Sequence, residues 1–178
     1  MCPVGSMAPL PRPRSPCQAT DRRPRARYPQ RMTDQTPASA AAPTATPFLM
    51  FEGEAGAAMD LYLAVFGPRV PVTELRRDTF DASTPRGEQW AGKVSHGEIE
   101  VAGQRLRFFD SFTEHAFGFT PAVSLFVELG SPEAVDALAE ALKADGGQDY
   151  MPAGDYGFSR RFAWVGDRFG MTWQLNAA

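Results

Sequence analysis

The chain has 178 residues, 43% of them hydrophobic and 22% charged, with a formal net charge of −3. This suits one folded domain plus a tail, with enough apolar material for a core. No apolar run approaches the ~20 residues that span a bilayer, so no membrane partner is expected.

The charge is unevenly spread. Residues 1–34 hold seven Arg against Asp21 and Asp34, while the remainder holds 11 basic and 19 acidic residues. An acidic folded part argues against nucleic acid as a partner, because that affinity rests on Lys and Arg neutralising phosphates. Both cysteines, Cys2 and Cys17, fall in the basic stretch. The rest therefore has no disulfide framework, no Cys-based zinc site and no Cys nucleophile. This usage fits a reducing cytoplasm, the compartment expected here.

Residues 1–46 are rich in Pro, Arg, Ala, Ser and Thr. Such a segment buries too little surface to offset its ordering entropy and is expected to be a disordered tail. Its prolines prevent the continuous amphipathic helix of a transit peptide. Met32 opens a second polar run and is the expected translation start, which leaves residues 1–31 untranslated. A folded domain is expected over 47–178.

Phe48–Phe51 is a short apolar run, expected as a buried strand and broken by Glu52-Gly53. Ala58, Leu61, Tyr62, Val65 and Phe66 then share one helical face, ended by Gly67-Pro68. A strand is expected over 70–78, a loop containing Trp90 over 79–92, and strands over 93–101 and 105–109 joined by Ala102-Gly103. The pattern recurs. Another apolar strand is expected over 121–129, and then Ser131-Pro132 supplies an N-cap and a first-turn proline. The helix that follows turns Val135, Leu138, Ala139 and Leu142 to one side, and Gly146-Gly147 ends it. Short strands near 149–151, over 161–165 and over 171–175 complete the second unit, with a glycine-rich turn at 152–157 between the first two. Asp167 and Gly170 give the last strand a turn at its entry.

The order is β-α-β-β-β twice. Each unit can make a small sheet with one helix on it, leaving a face and an edge uncovered. Two such units, or two chains, can enclose a cleft.

Particular residues extend this reading. Thr46-Pro47-Phe48-Leu49-Met50-Phe51-Glu52-Gly53, with Ala57-Ala58-Met59-Asp60-Leu61-Tyr62 and Val65-Phe66-Gly67, resembles the opening of the PhnB-like branch of the vicinal oxygen chelate superfamily. That superfamily includes glyoxalase I, extradiol dioxygenases and bleomycin-resistance proteins. His96-Gly97-Glu98-Ile99-Glu100-Val101-Ala102-Gly103 resembles the branch's third strand, and Phe119–Ser124 and Asp167–Gln174 resemble later segments. The resemblance spans roughly residues 46–176. It implies an α+β fold of paired βαβββ modules forming a curved mixed sheet around a cleft, and a homodimer. The branch has also carried the name 3-demethylubiquinone-9 3-methyltransferase. No Gly-rich nucleotide loop and no Rossmann-like alternation supports methyl transfer here.

Metal-dependent members hold a divalent ion with His and Glu from the first, fourth, fifth and last strands. Carried over by motif, those positions fall at about Pro47, at Arg107 or Phe109, at about Ala122 with Ser124 on the same face, and at Gln174. None is a strong ligand, so no metal and no other cofactor is expected. What the resemblance leaves is an apolar cleft with few polar contacts. The expected ligand-binding residues are His96, Glu98, Asp110, Ser124, Tyr156, Trp164 and Gln174, and the expected partner is a small molecule of unknown identity. The alternative is a lyase, isomerase or dioxygenase relative that works through His96, Glu98 and Asp110. In it, a carboxylate tunes the only histidine expected on a strand. His115 is expected to be solvent-exposed in a loop.

Overall fold

Each of the two α-helices among the described residues is held at its start by a side chain from outside its own turns or just before them. The computed structural model describes residues 43–83 and 87–178. Residues 1–42 of the expected 1–46 tail, with the start at Met32, lie outside the described residues.

The element order is β1 (Phe48–Phe51), α1 (Ala55–Phe66), β2 (Val72–Thr79), β3 (Val94–Val101), β4 (Gln104–Asp110), β5 (Ser124–Glu128), α2 (Pro132–Lys143), β6 (Gln148–Gly154), β7 (Arg161–Gly166) and β8 (Thr172–Ala177). A single 3₁₀ turn, Glu88–Trp90, interrupts the loop before β3. The chain is therefore two βαβββ modules in series. The eight strands divide over two four-stranded mixed sheets, ordered β1-β4-β3-β2 and β5-β8-β7-β6. In each module the first strand runs parallel to the last, and the other pairings are antiparallel.

Helix α2 follows its sequence signals. Ser131 caps it through Oγ, which accepts from Ala134 N–H, Pro132 opens it, and Val135, Leu138, Ala139 and Leu142 are buried. Helix α1 buries Ala55, Ala58, Met59, Tyr62 and Phe66. Leu61 and Val65, expected on that face, lie at its half-buried margins. Gly97 is what lets α1 approach its sheet. A Cβ at that position would lie 2.6 Å from Met59 Sδ and 2.9 Å from Phe108 Cβ.

Two segments depart from the sequence reading. Strand β6 extends through Pro152, Ala153 and Gly154, so half of the expected glycine-rich turn is strand. Proline is tolerated there because β6 is an edge strand and its N–H side can go unpaired. Strand β5 starts at Ser124 rather than at Pro121, since residues 121–122 form a turn.

The two modules share one continuous apolar core. Helices α1 and α2 touch each other. Trp173 of β8 packs 5.0 Å from Tyr62 and 4.7 Å from Phe66, both on α1. Each sheet thus turns one face inward onto the helices and one face outward.

Candidate functional site

Two buried carboxylates organise the inward faces. Asp110, 1% exposed, ends β4. Its Oδ1 accepts from Gly53 N–H at 2.8 Å and Ala55 N–H at 2.9 Å, and its Oδ2 from Val94 N–H at 2.8 Å. Those are donors at the start of α1 and of β3, so Asp110 does from a neighbouring strand what an N-cap residue does locally.

Asp167 joins the modules. Its Oδ1 accepts from Phe169 and Met171 N–H, and its Oδ2 accepts from the Tyr62 hydroxyl at 2.7 Å and from Trp173 Nε1–H at 3.1 Å. Gly170, at φ +85, closes this turn. Burial pushes the Asp167 carboxyl above its ordinary 3.8, against the pull of its hydrogen bonds. Burial, followed by the adjacent Asp167 charge, also holds the Tyr62 hydroxyl well above its ordinary range.

The outward face of the first sheet is charged. His96, Glu98 and Glu100 alternate on β3 with the buried Gly97, Ile99 and Val101. The Glu98 carboxylate pairs with Arg105 at 2.9 Å and lies 3.7 Å from Arg107. A small recess of about 130 Å³ there includes Phe48, Arg76, His96, Glu98 and Arg107.

On the second sheet the outward face is aromatic and amidic. Gln174 pairs in register with Phe126 on one side and Trp164 on the other. Phe126 is 55% exposed and lies 6.5 Å from Phe162, which Tyr156 and Phe158 flank at 6.1 and 5.2 Å. Tyr150 packs 5.1 Å from Trp164. Ser124 sits at the strand start, where its Oγ accepts from the Thr172 hydroxyl at 2.9 Å. The buried Nε1–H of Trp164 has no acceptor among the described residues.

The seven residues expected at the site therefore fall in three places. Ser124, Tyr156, Trp164 and Gln174 gather on the outward face of the second sheet. His96 and Glu98 share the outward face of the first. Asp110 lies on the opposite side of that sheet from His96, and its lone pairs are engaged with backbone donors. His115 is half-buried rather than solvent-exposed, stacked on Phe117 at 4.8 Å with Nε2 2.8 Å from Ser111 Oγ. Among the described residues, no three His, Cys, Asp or Glu converge to hold a metal ion. Sequence reasoning passed over Phe126. Its spacing of two from Ser124 on one strand was the available signal.

The comparisons with known proteins fit this architecture. Residues 43–176 match the model of a family described as 3-demethylubiquinone-9 3-methyltransferase. The chain belongs to that family. A PhnB protein from Bacillus cereus, described by the same methyltransferase name, is 36% identical, with 76% of this chain and 100% of that one covered at a TM-score of 0.68. Protein PA1353 from Pseudomonas aeruginosa shares the fold at 23% identity, 76% and 98% coverage and a TM-score of 0.61. The fosfomycin resistance protein FosX from Listeria monocytogenes shares it at 14% identity, 78% and 95% coverage and a TM-score of 0.52. No curated protein matches the sequence. The fold is that of the vicinal oxygen chelate superfamily, in its PhnB-like branch.

Proposed function

We propose that this protein binds a small molecule on the outward face of the second sheet, and that it does so without the superfamily's usual divalent metal. The observation that carries the reading is the unanswered indole N–H of Trp164 beside Gln174 and the Phe126–Phe162–Tyr156 cluster. Leaving a buried donor unpaired costs about 1–3 kcal/mol, and native structures retain such groups for a reason. Here the reason is a ligand acceptor. An aromatic wall supplies apolar contact, while Trp164 donates and the Gln174 amide donates or accepts.

The donor set disfavours a metal. The strand positions that carry ligands in metal-dependent members hold Pro47, Arg107 or Phe109, Ala122 or Ser124, and Gln174. A neutral amide and a hydroxyl bind divalent ions weakly, and a guanidinium repels them. Nor is methyl transfer part of this reading, since the strand–helix turn after β1 reads Glu52-Gly53-Glu54 and lacks a nucleotide-binding glycine pattern.

We also propose that the working unit is a homodimer. Val123 and Phe158, at 69% and 68% exposed, leave apolar surface on the second module, and its strand β5 is an edge of the sheet. A second copy would cover this surface and convert the open face of the second sheet into a cleft.

A thermal-shift survey of metabolites and antibiotics tests the binding. A ligand at a hundred times its dissociation constant adds about 2.7 kcal/mol, enough to raise the melting temperature by several degrees. Gln174→Leu and Trp164→Phe should lose that shift. A survey with no hit contradicts the reading. Sedimentation analysis tests the dimer, and a monomer at micromolar concentration contradicts it.

A further inference from the structure

A second cavity lies at the exposed edge of β1, away from the second sheet's outward face. Its volume is about 550 Å³, within the range of small-molecule sites. Phe48, Phe117, Phe119 and Phe169 wall it, and Glu52, Glu54 and His115 supply its ionisable groups. None of its lining residues is Lys or Arg.

The geometry points to a binding site for an organic cation with an aromatic or alkyl body, held between these rings and carboxylates. Four observations support it. The linker places its rings through the β1 side chains, with Phe51 lying 5.1 Å from Phe119 and 6.0 Å from Phe169. Phe117 is 68% exposed at the rim, a position with no core role. Glu52 is fixed because Oε1 accepts from His115 N–H at 2.7 Å, which leaves its charge uncompensated. The Glu54 carbonyl accepts from Ala58 N–H, but its carboxylate makes no hydrogen bond or ion pair among the described residues and does not cap α1.

The surrounding charges favour a cation over an anion. The start of α1 would ordinarily attract an anion through its free N–H groups. Here the N–H groups of Gly53 and Ala55 are already bonded to Asp110. The nearby Lys93 ammonium is engaged at 2.7 Å with Gly53 O. Arg168 lies 4.9 Å from the Phe169 ring centre, so one wall already holds a cation. Phe48, Phe117 and Phe119 remain for the ligand. A cation is attracted by ring faces and by the two carboxylates together, whereas a neutral ligand gains only apolar contact.

The site is independent of the Trp164 reading, and different nuclei report on the two. The experiment titrates the full ¹⁵N-labelled chain with benzyltrimethylammonium, benzyl alcohol and benzoate at matched ionic strength. The cation should perturb the amides of residues 52–54 and 115–119, binding about tenfold more tightly than the alcohol. Benzoate should cause no saturable change there. Glu52→Gln with Glu54→Gln should abolish the preference for the cation while leaving cooperative melting intact, because Gln still offers an oxygen to His115 N–H. Phe117→Ala, at an exposed position, should weaken the cation severalfold. Equal affinity for cation and alcohol overturns the proposal. So does a double variant that keeps the preference, an absence of saturable change, or protection of these amides by a second copy.

Discussion

The two modules have the same topology and opposite outward faces. On the first sheet, Glu98 pairs with Arg105 and lies near Arg107, with His96 on the same face. On the second, the equivalent surface carries Phe126, Phe162, Trp164 and Gln174, with one indole N–H unanswered. Inward, both sheets do the same work of burying apolar side chains against a helix. The fold therefore constrains one face of each sheet and leaves the other to diverge. Function should follow the face whose polar groups are not already satisfied by neighbours.

The largest expected effect lies on the inward faces and involves no ligand. Asp110→Ala removes the acceptor for three backbone donors at the starts of α1 and β3. Denaturant unfolding should show a loss of about 3–5 kcal/mol. A loss below about 1 kcal/mol would mean that these donors find water instead.

Asp167 should give a smaller, pH-dependent effect. Its carboxyl is raised above 3.8 by burial, so the folded state holds the proton more tightly than the unfolded chain does. The resulting stabilisation is complete below 3.8 and is lost as pH rises through the raised value. Unfolding measured from acid to neutral pH should therefore show wild type losing ground to Asp167→Asn as pH rises across that window. Tyr62→Phe should cost about 1–2 kcal/mol and push the loss further upward in pH, because it removes a donor that steadies the charged form. A wild-type advantage over Asp167→Asn that grows as pH rises would contradict the assignment.

Substitutions on the outward faces separate binding from stability. Phe126→Ala should change stability by less than about 0.5 kcal/mol while weakening a ligand of the second face roughly tenfold, as loss of a buried aromatic contact does. His96→Ala should change neither by a measurable amount. Ligand loss on His96→Ala would move the site to the first sheet and revive the reading built on His96 and Glu98.

Much of this fold was legible in the sequence because periodicity reports burial. The alternation of His96, Glu98 and Glu100 with apolar residues marked a two-sided strand, and Ser131-Pro132 marked the start of α2. The site was harder to read. Alternation from Leu106 through Phe108 puts Asp110 on the inward face, but a carboxylate at a strand end reads as a polar site residue, and that grouped it with His96 on the other side. Tertiary satisfaction is invisible as well. Nothing local reveals that Asp110 is engaged by Gly53, Ala55 and Val94, or that Trp164 has no acceptor while Trp173 has Asp167. The separation of the strands into two sheets is likewise a property of how the helices meet through Tyr62, Phe66 and Trp173.

The sequence contains three tryptophans, which gives the central claim a direct test. In a ¹⁵N correlation spectrum each indole N–H is a separate reporter. Trp173 is locked to Asp167, and Trp90 lies in the loop before β3. When a stabilising ligand from the thermal-shift survey is added, the Trp164 indole resonance should move in a saturable way, shifting downfield as its N–H gains an acceptor, while that of Trp173 stays in place. A ligand that stabilises the protein and leaves the Trp164 resonance unmoved would contradict binding on the second sheet's outward face.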